Sequence, residues 1–367
     1  MLGDVGGTNV RLTLRRLNLE ERTSEEIKEL TFYNSQSLKS FQSAVEQFLS
    51  EFKGTENWPT VGVVGIAGAV NCNTVVLTNV EHWPVADGNA IAEDLGIKSF
   101  RFINDFEACG YGLCLLKRSD SVHLNTQSPD ENGVKVVMGP GTGLGVGFLL
   151  KPPGGRYEVA ASEGGHTDFS VITEEDWALR QFAVKYIKES KNVENLRSGD
   201  VHLIRVSIER LCAGPAIPLI YEFYKAQDKY KDLPRPLEKD KHPNDLTSKD
   251  IIKQGMAYET NGDELCHKVI QKFAEIFATE VGNCALKYLP FGGIYLVGGV
   301  TQGILEYLEL GNSNDAFLRQ VYDKGRLEQA VRRVPLYVVK PEVELGLLGT
   351  EEFAFRSLER LREQSHS

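Results

Sequence analysis

Apolar residues in this chain fall in short blocks that end on glycines. Leu2-Gly3-Asp4-Val5 meets Gly6-Gly7-Thr8-Asn9, and the alternating run Val10-Arg11-Leu12-Thr13-Leu14 follows. Val136-Val137-Met138 meets Gly139-Pro140-Gly141-Thr142-Gly143, and Leu144-Gly145-Val146-Gly147-Phe148-Leu149-Leu150 follows. Each segment predicts a strand, a glycine-rich turn and a second strand. Two copies of one supersecondary unit predict two similar halves. Val61-Gly62-Val63-Val64-Gly65-Ile66-Ala67 predicts a buried strand, and Phe100-Arg101-Phe102-Ile103 another that ends at Asn104-Asp105. Helical segments are expected over 106–116, 174–188, 263–288 and 346–363. The second opens with Glu174-Glu175-Asp176, acids suited to a helix N-terminus. Residues 293–296 predict a strand running into Gly298-Gly299. Tyr224 to Asp250, charged and broken by Pro234, Pro236 and Pro243, predicts a surface excursion.

Composition narrows the class. A chain of 367 residues holds two domains at roughly 100–200 residues each. A net charge of −10 with no long basic run argues against nucleic acid or an anionic membrane as the main partner. No apolar run approaches a membrane span, and no secretory pattern opens the chain, so a cytoplasmic protein is expected. Met1 stands directly before the first strand, which suggests further residues upstream. The six cysteines, at 72, 109, 114, 212, 266 and 284, form no CxxC pair. They are expected to be buried thiols in a reducing compartment, not disulfide or zinc partners.

The glycine turns carry the chemistry. Amides of such turns can converge on phosphate oxygens, and glycine lets the backbone come close. There is no GxxxxGK(S/T), so this is not a P-loop protein. No GxGxxG occurs around Gly141, and a strand, not a helix, follows it. Asp4 stands as a candidate base, metal ligand or turn residue. Asp105, at a strand end, suits either a helix N-cap or a general base. Glu163 and His166 bracket a glycine pair that could present a carboxylate and an imidazole to a polyol, or form an ordinary surface loop. Glu209, before Ala213-Gly214-Pro215, is either a third carboxylate of that set or a solvated acid.

Taken together, these motifs carry a resemblance. Asp4-Val5-Gly6-Gly7-Thr8-Asn9 and Gly141-Thr142-Gly143-Leu144-Gly145 resemble the two phosphate hairpins of the sugar kinase, actin and heat-shock chaperone superfamily. Ile103-Asn104-Asp105-Phe106, Ser162-Glu163-Gly164-Gly165-His166 and Ile208-Glu209-Arg210-Leu211-Cys212-Ala213-Gly214-Pro215 resemble the sugar-site motifs of bacterial-type glucokinases. Val297-Gly298-Gly299-Val300 is similar to their adenosine motif. The order is the family's, over nearly the whole chain. Ser162 stands where relatives often have glycine or proline. Related repressors and kinases carry a cysteine-rich zinc motif after the Glu-Gly-Gly-His segment. Residues 167–180 contain no cysteine, so the zinc-free branch is expected, with no zinc.

The resemblance implies an α/β, two-domain actin-like ATPase (ribonuclease H-like) fold with an interdomain cleft. Its small domain would comprise 1–115 plus 345–367, and its large domain 116–344. It implies transfer of the γ-phosphoryl group of MgATP to the 6-hydroxyl of glucose, with Asp105 as general base. Asn79, Asn104, Asp105, Glu163, His166 and Glu209 would bind the sugar. Asp4, Gly6, Gly7, Thr8, Asn9, Gly141, Thr142 and Gly143 would form the ATP site, with the amides of Gly6, Gly7, Thr8, Thr142 and Gly143 holding the phosphates. Gly298, Gly299 and Val300 would flank adenosine, and Asp4 would hold Mg²⁺ through water. A hinge closing on sugar would keep ATP hydrolysis slow without it. Relatives are often dimers, so a homodimer is implied. Three alternatives stand beside this reading: a kinase of another hexose, a non-catalytic sugar sensor, and an actin-like or chaperone-like ATPase. An acidic chain that opens on its phosphate hairpin disfavours the sensor. The polyol set disfavours the ATPase.

Overall fold

The computed structural model describes residues 1–6, 9–68, 70–77, 80, 82–189, 205–234, 237, 246–258, 262–309 and 311–365. These form two compact units. The first comprises 1–118, 152–161 and 342–367; the second comprises 119–151 and 162–341.

In the first unit, β1 (Leu2–Val5) and β2 (Asn9–Asn18) form the expected hairpin, closed by Val5 opposite Val10. β3 (Thr23–Asn34) extends it antiparallel on one side. On the other side β4 (Val61–Ile66) joins β1 in parallel. β5 (Val70–Asn71), β6 (Thr74–Val75) and β7 (Ala86–Asp87) make a separate small sheet. β8 (Ser99–Asn104) then pairs in parallel with β4, giving the order β3-β2-β1-β4-β8. Every residue of β4 is buried, as its unbroken apolar run requires of a central parallel strand.

Helices cover both faces of this sheet. The helix Phe41–Leu49 starts on a Ser40–Ser43 capping box and buries Phe41, Ala44, Val45, Phe48 and Leu49. It packs with Phe100 and Phe102. The opposite face buries Leu2, Val61, Val63, Ile103, Ala108, Tyr111 and Ala354. There the helices Asp105–Gly112 and Leu345–Gln364 meet at glycines, since a Cβ on Gly349 would overlap the Ala108 carbonyl.

The second unit begins with β9 (Ser121–His123). β10 (Lys135–Pro140) and β11 (Leu144–Leu150) form the second expected hairpin, closed by Pro140 opposite Leu144. β12 (Glu158–Ser162), whose residues 158–161 are grouped with the first unit, follows β11 in the sheet order. β13 (Gly293–Leu296) and β14 (Leu336–Val339) continue in parallel from β10, and the sheet runs β12-β11-β10-β13-β14-β9. The sequence repeat is therefore a repeat of sheet order: β3-β2-β1-β4-β8 corresponds to β12-β11-β10-β13-β14.

The helix Glu264–Tyr288 runs through the core of this unit, with sixteen of its residues buried. It carries Lys272, whose fully buried ammonium pairs with Asp176 at 2.7 Å and Glu275 at 3.1 Å. Two expectations change. The stretch from 224 to 250 is not wholly at the surface: among its described residues Tyr224, Tyr230, Leu237 and Leu246 enter the core. The six cysteines form no disulfide, but Cys72 is exposed at the β5–β6 turn, where its φ is +47°.

Candidate active site

In the first unit the candidate residues gather at the ends of β1 and β8. Asn104 ends β8 and caps the following helix: its side chain accepts from the amides of Phe106 (2.9 Å) and Glu107 (3.3 Å). Its amide group donates to the Gly68 carbonyl at 3.1 Å. The capping role that the sequence allowed Asp105 thus belongs to Asn104. Asp105 is the first helical residue, with Oδ1 accepting from the Phe106 amide at 2.9 Å. Burial pushes its carboxyl up to about 6; the Phe106 amide pulls it down, and the negative charge of Asp4 pushes it up again. A carboxyl with this value is mostly ionised at neutral pH yet basic enough to take a proton.

Asp4 has a partner that the sequence reading missed. Arg11 lies opposite it across the β1–β2 hairpin and donates through Nε at 3.0 Å and through Nη2, both to Oδ2. Arg11 Nη1 reaches Glu344 Oε2 at 2.7 Å. A Cβ on Gly65 or Gly346 would stand 3.8 or 4.0 Å from Asp4 Oδ1, so no side chain crowds that oxygen from either position. Gly6 donates to the Asn9 carbonyl at 3.0 Å, and Asn9 is exposed. Gly7, Thr8 and Asn79 lie outside the described residues.

In the second unit the Glu-Gly-Gly-His segment forms a short 3-10 turn, Gly164–His166. It lies against β11 so closely that a Cβ on Gly165 would overlap the Leu144 carbonyl. Glu209 is the middle residue of another such turn, Ile208–Arg210, tied back by the Ile208 amide on the Thr167 carbonyl at 2.8 Å. His166 stands between two carboxylates. Nε2 is 3.6 Å from Glu163 Oε2, and Nδ1 is 4.0 Å from Glu209 Oε1. These gaps exceed direct hydrogen bonds and leave all three groups able to take hydroxyls. Glu163 is 83% exposed and Glu209 only 25%. The remaining Glu209 oxygen accepts the Leu144 amide at 3.1 Å, a contact no sequence pattern announced.

Three turns converge beside this row. In the β10–β11 hairpin the Gly141 amide donates to the Gly143 carbonyl at 2.7 Å, and the Gly214 amide donates to the Gly141 carbonyl at 2.8 Å. Ser248 secures Gly214 through its carbonyl at 2.6 Å. Gly298 has φ +93°, and a Cβ there would stand 2.8 Å from the Pro140 carbonyl, so both backbone and space call for glycine. Nothing lies within 4 Å of a Cβ on Gly141 or Gly299, and Thr142 is exposed. Val300 differs from its neighbours here: its side chain is buried in the core, leaving its backbone as the part that can face a ligand. Among the described residues, no group of three or more His, Cys, Asp or Glu is placed to hold a metal ion. No helix among them is long and apolar enough to cross a membrane.

The sequence model of the family described as Glucokinase matches residues 1–357. The chain belongs to the glucokinase family. It is 31% identical to a glucokinase of Nostoc punctiforme over 97% of this chain and 98% of the relative. It is 28% identical to one from Yersinia enterocolitica over 98% and 97%. Among solved structures, the glucokinase of Balamuthia mandrillaris in complex with glucose superposes with a TM-score of 0.74 at 17% identity, over 97% of this chain and 92% of that one. A ROK family glucokinase from Streptomyces griseus in complex with glucose and AMPPNP gives 0.56 at 17% identity, over 96% and 97%. The fold of this glucokinase-family chain is accordingly the actin-like ATPase fold.

Proposed function

We propose that this glucokinase-family chain transfers the γ-phosphoryl group of ATP to the 6-hydroxyl of glucose, giving glucose 6-phosphate and ADP. One observation carries the reading: a carboxylate–imidazole–carboxylate row whose inner acid is bonded to a glycine hairpin. A polyol subsite fastened to a phosphate hairpin suits a sugar kinase. An ATPase that only assembles or clamps partners has no use for it. The glucose and AMPPNP complexes of the structural relatives support the same substrates.

The roles follow from the chemistry of each group. Asp105 takes the hydroxyl proton as the oxygen attacks phosphorus. Asn104, by capping the helix, fixes where Asp105 stands. Glu163, His166 and Glu209 accept from and donate to the sugar hydroxyls. Asn79 adds a contact by family position. Gly7, Thr8, Asn9, Thr142 and Gly143 hold phosphates through their backbone; Gly6 and Gly141, whose amides donate to the Asn9 and Gly143 carbonyls, leave the phosphates room, and Gly298, Gly299 and Val300 flank the base. Mg²⁺, when bound, neutralises charge on the phosphate oxygens. Asp4 fits it through a water: Arg11 holds Oδ2, and neither Gly65 nor Gly346 sets a side chain against Oδ1. The reaction so read needs no zinc.

A coupled assay with MgATP and a hexose panel tests this. Turnover with glucose is expected. Absence of turnover with glucose overturns the reading, and a strong preference for fructose or an N-acetylated hexosamine reassigns the substrate.

A further inference from the structure

Leu144 belongs to both halves of the second unit's site. It closes the glycine hairpin opposite Pro140. Its amide donates to Glu209 Oε2 at 3.1 Å, and its carbonyl abuts Gly165 of the Glu-Gly-Gly-His turn. One residue earlier, a Cβ on Gly143 would overlap that same Glu209 oxygen. The other oxygen of Glu209 faces His166 Nδ1 at 4.0 Å. The two oxygens therefore serve different ends: one fixes the hairpin backbone, and the other completes the polar row.

We infer that Glu209 and the Gly143–Leu144 peptide couple nucleotide and sugar binding, so that each ligand's affinity depends on how the other's loop is held. This rests on the sugar-kinase reading above. A shift of the hairpin at 143–144 either breaks the Leu144–Glu209 hydrogen bond or carries the carboxylate with it, and it moves the Leu144 carbonyl against the turn that carries His166. Such a link is reciprocal, because a coupling free energy between two sites has one value whichever ligand binds first. It also gives Gly143 a tertiary reason to be glycine, separate from any turn conformation.

The test uses the whole protein, with each ligand measured alone by calorimetry. Glucose is titrated without nucleotide, and AMPPNP without sugar. In Gly143→Ala the new methyl displaces the carboxylate, and the Kd for glucose is expected to rise about tenfold or more, although residue 143 lies on the phosphate hairpin. In Glu209→Ala the Leu144 amide loses a charged acceptor, and the Kd for AMPPNP is expected to rise by about the same factor. Glu209→Gln, which keeps an acceptor oxygen, should lie between Glu209→Ala and wild type. Unchanged AMPPNP affinity in a folded Glu209→Ala protein, or unchanged glucose affinity in Gly143→Ala, overturns the coupling. If Gly143→Ala does not fold, the Glu209→Ala arm decides. A wild-type protein that binds AMPPNP but not glucose overturns the sugar-kinase reading itself, an outcome distinct from either.

Discussion

Asp105→Asn separates catalysis from stability with opposite signs. The substitution keeps size, and its amide oxygen can still accept from Phe106, but it removes the proton acceptor. A general base contributes typically ~10²–10⁴-fold, so kcat in the coupled assay should fall by about that factor while glucose affinity by calorimetry holds. Stability should move the other way. Raising a carboxyl from 3.8 to about 6 costs the fold about 3 kcal/mol once the group is ionised in both states. The sign follows from the protons bound: between these two values the folded state holds more of the proton than the unfolded state. Stability therefore falls as pH rises through this window, and the whole penalty stands above pH 6. The variant lacks the penalty. It should melt higher than wild type, by on the order of 5 °C at pH 8, with the gain fading toward pH 4. For the same reason wild-type kcat/KM should decline below pH 6 as Asp105 takes up its proton. Near wild-type turnover in the variant would refute the base. A melting difference that does not change with pH would refute the buried, raised carboxyl.

Asp4→Asn removes the charge facing Arg11 and should weaken use of MgATP about tenfold or more, with glucose affinity kept; an unchanged Mg²⁺ dependence would count against its role. Gly165→Ala drives a methyl into the Leu144 carbonyl, so both the melting temperature and glucose affinity should drop, as thermal and calorimetric titrations would show. Lys272→Met leaves Asp176 buried without its cation and should cost about 3–5 kcal/mol in urea unfolding. Lys272 holds Asp176 below the usual carboxylate range despite the opposing effect of burial. In the wild type this pair's support is present above pH ~4 and is lost as pH falls through the lowered value of Asp176.

How much could be read from sequence depended on where each residue's constraint came from. β4 and the two hairpins were legible because burial on both faces writes continuous apolar runs and tight turns write glycines. β3 was not. It is an edge strand reading Thr23-Ser24-Glu25-Glu26-Ile27-Lys28-Glu29-Leu30-Thr31-Phe32-Tyr33-Asn34, half exposed along its length, and charged edges discourage pairing with other chains while erasing alternation. The helix after Asp105 was expected to reach 116 but stops at Gly112. In the site, Asn104-Asp105 offered two residues suited to capping, and only the observed helix start assigns the cap to the first. The Asp4–Arg11 pair becomes readable once the hairpin register is known, because the two residues are direct cross-strand neighbours. Glu209 on Leu144 spans 65 residues and belongs to no periodic pattern, so folding alone reveals it.

The duplicated sheet order explains why the two hairpins obtain their acids differently. Asp4 and Gly139 occupy matching places, each one residue before the closing pair of its hairpin. At Asp4 the neighbouring parallel strand presents Gly65, which leaves the carboxylate room. At Gly139 the Val297 carbonyl fills the place where a Cβ would go, so no side chain can grow from that position. The second hairpin therefore cannot carry an acid at the place that matches Asp4. Its carboxylate arrives from outside the sheet, as Glu209, and takes the Leu144 amide. Arg11 opposes Asp4 on the first hairpin, where a metal-bound phosphate chain is proposed, and holds the acid in one orientation. Glu209 faces an imidazole instead and is left for hydroxyls. Within one repeated plan, steric exclusion at a single glycine fits the proposed division, with one acid at the phosphates and the other at the sugar.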